Sequence, residues 1–416
     1  MPAGRAPASF RNRDRSRLLS FNLPRDIALL VWGMVVWDLG FGLYSNLWPL
    51  FIEDLGATPA QIGIIIGLSG FARLAIMLPS GIAADRYSRR FMIWGATALS
   101  VPSVLIYLIS QTWWHLIPGL VLGALANISV PAISSYVAEA APPRDRVRAF
   151  AMVYTVGPSA ALIVAPVIGG WLSEATSLQF LFLPTAILYA LSTIVFWMIS
   201  ERPHAPRAER PPSSYGDALR HRSVLMASLL QMLVLFVLTM GITFIPIYLQ
   251  DEHGASLAQI GQLGAVGALG SILLSLLVSK LKWLSPTRGI GLASGAIGLV
   301  CLATVLIGNI WVLAFFFLFR GGFNVAWSLF AAVLGDTVPE RLRGRSFAMA
   351  EFLGGIGFAI APFVAGPLYG IDPKLPLLLT AIGAPVLILL TLIFERRVVK
   401  PAMEQQAVEM GVVAVG

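Results

Sequence analysis

Four ionisable side chains stand inside long apolar stretches of this sequence, where a charged group is costly. They are Asp38, Arg73, Arg320 and Glu351. An acid in such surroundings can take up and release a proton, and an arginine can bind a carboxylate or another anion. Each is therefore expected to face a cavity or a partner side chain, and we interpret the four as candidate proton-coupling or cavity charges.

The elements that must position these side chains are apolar stretches long enough to cross a bilayer. The chain of 416 residues is 57% hydrophobic and 12% charged, whereas soluble domains have about 45–50% apolar and about 25% charged residues. Because a hydrocarbon core of roughly 30 Å needs about 20 apolar residues per helix, the sequence predicts an all-α integral membrane protein. The twelve predicted helices span residues 27–52, 58–81, 91–110, 115–136, 147–172, 178–199, 224–249, 257–280, 288–308, 311–335, 346–369 and 375–395.

The charges outside these helices are sorted by side. Of the 29 Lys and Arg residues, all but three fall on the predicted side that carries both termini. Arg73 and Arg320 lie inside predicted helices, and Lys374 lies on the opposite side. The positive-inside rule places that side in the cytoplasm, so we expect a multi-pass cell-membrane protein, in a bacterium the inner membrane, with both termini cytoplasmic. The net charge of +8 then follows from topology, and no nucleic acid partner is expected.

Metal, disulfide and nucleotide chemistry have little support. The one cysteine, Cys301, excludes an intrachain disulfide, and the four histidines are far apart. No metal site and no cofactor are therefore expected. No P-loop spacing occurs, which argues against ATP-driven pumping by this chain.

The two halves of the chain resemble each other in parallel orientation. Four matches fall at a shift of about 197 residues: 56–63 with 254–261, 146–152 with 343–349, Asn127 with Asn324, and Glu139 with Asp336. They predict two six-helix pseudo-repeats related by duplication. The domains are then a basic tail (1–26), an N-terminal bundle (27–199), a linker rich in Pro and Arg (200–223), a C-terminal bundle (224–395) and a second tail (396–416).

Two parallel six-helix repeats are an architecture of secondary transporters. The loop after predicted helix 2 indicates which family of transporters the chain resembles. It reads Gly-Ile-Ala-Ala-Asp-Arg-Tyr-Ser-Arg-Arg from Gly81 to Arg90. This resembles the Gly-x-Leu-Ala-Asp-Arg-x-Gly-Arg-Arg/Lys motif of the major facilitator superfamily, with departures at Ala83 and Ser88. The resemblance covers nearly the whole chain after the N-terminal tail and implies the major facilitator fold.

The resemblance assigns a gating role to this loop. It implies that Asp85 latches against the N-terminal end of helix 11, where the helix dipole favours an acid. Arg86 and Arg89 would pair with an acid near the end of helix 4, such as Glu139. The alternative is that Arg86, Arg89 and Arg90 only anchor the topology.

A second partial match lies on predicted helix 5. Antiporters of the family carry a Gly/Pro-rich signature there, and this chain keeps only its end, Pro166-x-x-Gly169-Gly170. These residues are expected to allow close helix packing and a local bend.

Two interpretations of Asp38 and Arg73 remain open. Asp38 and Arg73 both lie about 18 Å from the basic side at 1.5 Å per residue, so a mutual ion pair is geometrically possible. Either the pair is permanent, or Asp38 carries a proton, as the acid on helix 1 commonly does in drug/proton antiporters of the family. Glu351 and Arg320 lie about 9 Å and about 24 Å deep, too far apart for a simple pair.

In the family, helices 1, 4, 7 and 10 line a central cavity. The resemblance therefore makes substrate-cavity candidates of polar and aromatic residues on those helices: Trp37, Tyr44, Asn46, Asn127, Phe236, Asn324 and Trp327. The alternative is that most of them pack between helices or face lipid.

The sequence thus predicts a monomeric, proton-coupled secondary transporter that works by alternating access and draws on a proton gradient. The expected activity is export of amphipathic small molecules in exchange for protons. Uptake of a nutrient or metabolite by proton symport, and lipid or glycolipid flipping by the same fold, remain alternatives. An enzyme is not expected, because the loops contain no paired acidic or His-rich motif.

Overall fold

A computed structural model describes residues 23–201, 220–281, 283–338 and 342–409. Within them the chain is all-α and contains twelve helices long and apolar enough to cross a membrane. In chain order, α1 to α12 span Arg25–Ser45, Pro59–Arg86, Arg89–Ile109, Trp113–Ala140, Arg146–Ala175, Gln179–Trp197, Arg222–His253, Leu257–Lys280, Pro286–Leu306, Ile310–Thr337, Arg343–Ile371 and Leu375–Glu404. The predicted fold class and the twelve predicted helices are confirmed.

Several of these helices are interrupted, which the sequence did not predict. After Ser45, α1 is continued by a short helix, Trp48–Asp54. The regular turns of α4 stop at Asn127, and α10 contains a 3-10 turn at Leu318–Gly321. Interruptions free backbone groups that hydrocarbon cannot satisfy, so membrane proteins place them against other protein or a water-filled cavity.

The duplicated segment forms the same local structure twice. Gly56 and Gly254 turn the chain with left-handed φ angles of 79° and 62°. Two residues later, Ser256 caps α8: its Oγ accepts from the backbone N–H of Gln259 at 3.3 Å, and the Gln259 side chain accepts from the Ser256 N–H at 2.9 Å. Thr58 begins α2 with the same two bonds to the residue three positions on. The repeat seen in the sequence is therefore a repeat of structure.

Two equivalent glycine contacts join the two halves. Where α8 meets α5, a Cβ on Gly261 would collide with the carbonyl oxygen of Pro166. Where α2 meets α11, a Cβ on Gly63 would collide in the same way with the carbonyl oxygen of Pro362. Because both pairs correspond under the repeat, we define these contacts as the two glycine interfaces.

The Gly-Gly sequence of α5 packs on both sides. A Cβ on Gly169 would collide with the carbonyl oxygen of Leu43 on α1. A Cβ on Gly170 would lie 2.6 Å from the carbonyl oxygen of Leu257 at the start of α8. This close packing ties α5 to α1 within its half and to α8 in the other.

The helix ends define two faces. We call the basic face the one reached by Arg25, Arg89, Arg146, Arg222, Arg288 and Arg343, and the acidic face the one reached by Glu53, Glu174, Asp251, Glu252 and Asp372.

Contacts between the halves lie toward the acidic face. There the Glu174 carboxylate accepts hydrogen bonds from the Ser256 hydroxyl and the Ala258 backbone N–H, both at 3.1 Å, which joins the end of α5 to the start of α8. Farther from that face, the mid-helix residues Asn127 and Asn324 are exposed. Because polar groups avoid lipid, we infer that they face an open space between the halves that lies toward the basic face.

The glycine interfaces predict the effect of adding one methyl group. Gly261→Ala should destabilise the protein by about 1–3 kcal/mol, because the new Cβ forces α5 and α8 apart. We expect a lower apparent Tm of the purified protein in detergent. Gly335→Ala, on α10 with no atom within 4 Å of a built Cβ, is the matched control and should not lower the Tm; equal Tm values for both variants would contradict the close packing.

Candidate functional site

A cavity of about 480 Å³ lies within the N-terminal half. Side chains from α1, α2, α3, α4 and α6 line it, and among the described residues Phe358 of α11 is the one lining residue from the other half. Its volume falls in the range of small-molecule binding sites. The helices around it meet because small residues, such as Gly40 of α1 against Tyr189 of α6, let their backbones approach.

Aromatic rings form one wall of the cavity. Trp37 stacks on Tyr189 with ring centroids 4.4 Å apart, and the hydroxyl oxygens of Tyr189 and Tyr44 lie 3.4 Å apart. Trp48 packs against Tyr107 with centroids 4.9 Å apart. The wall offers a rigid, mostly apolar surface with a few hydroxyl groups, which suits an amphipathic molecule.

Asp38 and Arg73 line this same cavity. The ion pair considered from the sequence is not formed, since no described salt bridge joins them. The Oδ2 atom of Asp38 is buried and has no hydrogen-bond partner among the described residues, whereas Arg73 is exposed to the open space. Asp38 and Arg73 lie at equal depth but do not meet, because the direction in which each side chain points depends on how its helix is rotated about its own axis.

The two asparagines occupy different surroundings. Asn127 lines the cavity, and its Nδ2 donates to the carbonyl oxygen of Gly123 on its own helix at 3.0 Å. Asn324 lies in the other half and donates to the Ser271 hydroxyl at 3.1 Å. Phe236 packs against the apolar core and does not line this cavity.

Arg320 and Glu351, the other two of the four charged residues within the helices, each have a neutral hydrogen-bond partner. The Nη1 of Arg320 donates to Oδ1 of Asn46 at 3.1 Å, a hydrogen bond between α10 and the break after α1. The indole N–H of Trp327 donates to Oε1 of Glu351 at 2.8 Å. As predicted from their depths, Arg320 and Glu351 do not pair.

Several lining residues were not identified from the sequence. Tyr107, Tyr189, Ser100 and Ser103 come from α3 and α6, helices that the family resemblance did not assign to the cavity. The sequence did contain a signal for these residues, because tyrosine and serine in the middle of apolar helices need a polar neighbour or water.

The comparison with protein families agrees with this architecture. The family model described as Major Facilitator Superfamily matches residues 30–362 and 227–411. The chain belongs to the major facilitator superfamily. The fold and family are those of membrane transporters, so this is a multi-pass membrane protein.

Individual relatives are distant. An uncharacterized MFS-type transporter of Methanocaldococcus jannaschii is 27% identical over 161 residues, which are 38% of this chain and 42% of that protein. The quinolone resistance protein NorA of Staphylococcus aureus is 22% identical over 184 residues, 44% of this chain and 46% of that protein. The chain thus spans less than half the length of these curated relatives.

A solved structure shares the fold over most of the chain. It is a bacterial homolog of the human lysosomal transporter Spinster in an inward-facing, unoccupied conformation, with a TM-score of 0.71 and 17% sequence identity. The match covers 90% of this chain and 97% of that one.

The superfamily loop motif is described in part. Arg89 forms an ion pair with Glu139, the contact expected from the resemblance. Arg90 donates to the carbonyl oxygen of Trp197 at 2.7 Å and so holds the start of α3 against the end of α6. The burial and contacts of Gly81, Asp85 and Arg86 lie outside the described part of the chain, so the Asp85 latch remains a prediction.

Within the described ranges, no group of three or more His, Cys, Asp or Glu side chains is placed to hold a metal ion.

A carboxyl group at the acidic face has an altered proton affinity. Glu53 ends the short helix after α1 and belongs to the N-terminal half, whereas Asp251 belongs to α7 of the other half. Burial, and then the charge of Asp251, raise the pKa of Glu53 from 4.5 to about 7. The closed acidic face therefore favours the protonated form of this residue.

This shift predicts a pH dependence of stability. Between the ordinary pKa of 4.5 and about 7, the native protein binds more protons than the unfolded chain, so its stability falls as pH rises through this range. We expect the apparent Tm to decline from pH 5 to pH 8, and Glu53→Gln to reduce the decline. Asp54→Asn, the exposed neighbouring acid, is the control and should keep the wild-type slope; an unchanged slope in Glu53→Gln would refute the assignment.

Proposed function

We propose that this superfamily member is a proton-coupled secondary transporter that exports amphipathic small molecules in exchange for protons. The observation that carries the proposal is the cavity itself, which combines an aromatic wall with the buried carboxyl group of Asp38. The aromatic wall suits an apolar molecule, and the carboxyl group can carry a proton. No bound cofactor is required, since the proton gradient supplies the energy.

The distribution of charge supports an orientation for this activity. The positive-inside rule places the basic face in the cytoplasm, together with both termini. The space between the halves then opens toward the cytoplasm, while the glycine interfaces lie toward the outer, acidic face. In this conformation a cytoplasmic molecule can reach the cavity.

The structure around Asp38 supports its role in proton coupling. A buried carboxylate oxygen needs donors to hold its charge, and Oδ2 has none among the described residues. When the halves rock, the water around the cavity changes, so Asp38 can bind a proton in one conformation and release it in the other. We propose that Arg73, which lines the same cavity, approaches Asp38 in the other conformation.

The direction of transport is supported by a distant relative. NorA is named as a quinolone resistance protein, and resistance fits removal of a drug from the cell. Proton symport would use the same cavity and the same acid, and the test therefore has to report direction.

The test is efflux from preloaded cells that express the protein. Two dyes with the same tricyclic xanthene body are used, fluorescein (an anion) and rhodamine 123 (a cation). Wild-type protein should export at least one of them, and a protonophore should abolish that efflux. Asp38→Asn should lower the rate by about tenfold or more, because the coupling group can no longer change its charge.

Two comparisons make the result specific. Asp54→Asn removes an exposed acid outside the cavity and should leave efflux unchanged at equal expression. If well-expressed wild type exports neither dye, the export proposal fails. If Asp38→Asn keeps protonophore-sensitive efflux, Asp38 is not the coupling acid.

A further inference from the structure

Arg320 stands at a point where broken helices of the two halves meet. It belongs to the 3-10 turn Leu318–Gly321 of α10. This turn rests on α8, where a Cβ on Gly270 would collide with the carbonyl oxygen of Leu318. The break is therefore fixed in place by the packing of α10 on α8.

The break after α1 approaches the same point from the other half. A Cβ on Gly264 would collide with the side chain of Asn46, and a Cβ on Gly267 would lie 3.4 Å from Nη1 of Arg320. The glycines of α8 thus make room for both side chains, and the hydrogen bond from Arg320 to Asn46 closes the gap at 3.1 Å.

Among the described residues, no ion pair balances the charge of Arg320. A guanidinium group has five N–H donors and stays charged, yet the Asn46 amide oxygen is its one described hydrogen-bond acceptor. The ion pairs found among the described residues are elsewhere, as Arg89–Glu139, Arg144–Asp145 and Arg288–Glu395. An arginine within a membrane-spanning helix without an anion is costly, which points to an anion supplied from outside the chain.

The neighbouring cavity shows where the rest of such a molecule would lie. Ser45 and Trp48, on either side of Asn46 in the sequence, both line the aromatic cavity. Arg320 does not itself line that cavity, so a molecule with an anionic group at Arg320 would extend its apolar body past Asn46 into it.

From these contacts we propose that Arg320 binds an anionic group, a carboxylate or a sulfonate, of the transported molecule. This inference rests on the proposed function and gives its substrate class: amphipathic organic anions. Arginine suits the task because its planar fork matches the two oxygens of such groups.

The test compares the two xanthene dyes in variants of this residue. Wild type should export fluorescein, and Arg320→Gln should lower its efflux by about tenfold or more through loss of the charge–charge contact. Glutamine removes the charge and keeps a polar amide, although its N–H donor lies two bonds short of the Nη1 position that contacts Asn46. Arg320→Lys keeps the charge and should retain part of the fluorescein efflux, and Arg320→Gln should lower fluorescein efflux by a much larger factor than rhodamine 123 efflux.

Two controls separate charge recognition from damage. Lys374→Gln removes an exposed positive charge at the acidic face and should export fluorescein like wild type. Size-exclusion chromatography of each purified variant reports folding. Direct binding of fluorescein to the purified full chain, measured by fluorescence anisotropy, should weaken about tenfold or more in Arg320→Gln.

The outcomes distinguish this inference from the proposed function. Wild type that exports rhodamine 123 but neither exports nor binds fluorescein overturns the inference and leaves export intact. Folded Arg320→Gln that binds and exports fluorescein like wild type also overturns it. Arg320-dependent binding without efflux of either dye supports the inference, while export itself fails.

Discussion

The inability of hydrocarbon to form hydrogen bonds constrains every part of this structure. Many hydroxyl side chains within the helices donate to the backbone of their own helix, as Thr97 to Ile93 and Thr304 to Val300, each at 2.8 Å. Such local bonds satisfy a hydroxyl group but cannot satisfy a full charge. Charged side chains must therefore lie where the two halves meet or where a cavity admits water, and this constraint places Asp38 and Arg320 near the candidate site.

The duplication preserved the scaffold and changed the chemistry. Gly63 and Gly261 are equivalent positions with equivalent contacts across the two glycine interfaces. By contrast, Arg320 falls at the position equivalent to Gly123, which lines the cavity of the N-terminal half. Backbone approach between the halves requires glycine in both copies, whereas a buried charge is needed at one point only. The asymmetry of the site follows from this difference.

The sequence predicted the features that depend on one helix at a time. Helix number and position follow from apolar length, and the shared turn at Gly56 and Gly254 follows from the repeat. The Arg89–Glu139 contact followed from the family resemblance. The pairing of Asp38 with Arg73 was not found, because depth along a helix says nothing about the direction in which a side chain points.

The features that the sequence did not predict depend on contacts between helices. Tyr107 and Tyr189 reach the cavity because α3 and α6 pack beside α1, and no local pattern reports that neighbourhood. The interruption in α10 has no proline within it; Gly321 and Gly322 are its sequence signal, and glycine pairs also serve simply as packing surfaces. Only the contact of α10 with α8 in the structure shows that this glycine pair marks an interruption of the helix as well as a packing surface.

The hydrogen bond between Asn46 and Arg320 shows why a neutral partner suits a moving interface. Asn46 belongs to one half and Arg320 to the other, so an alternating-access cycle, as proposed, has to break this bond whenever the halves separate there. A hydrogen bond to a charged group contributes about 1.5–3 kcal/mol, whereas breaking a buried ion pair by removing one partner costs about 3–5 kcal/mol. An aspartate at position 46 would hold the halves together more tightly and would also occupy the guanidinium group. The neutral amide keeps Arg320 in place, leaves most of its donors free and lets the interface open.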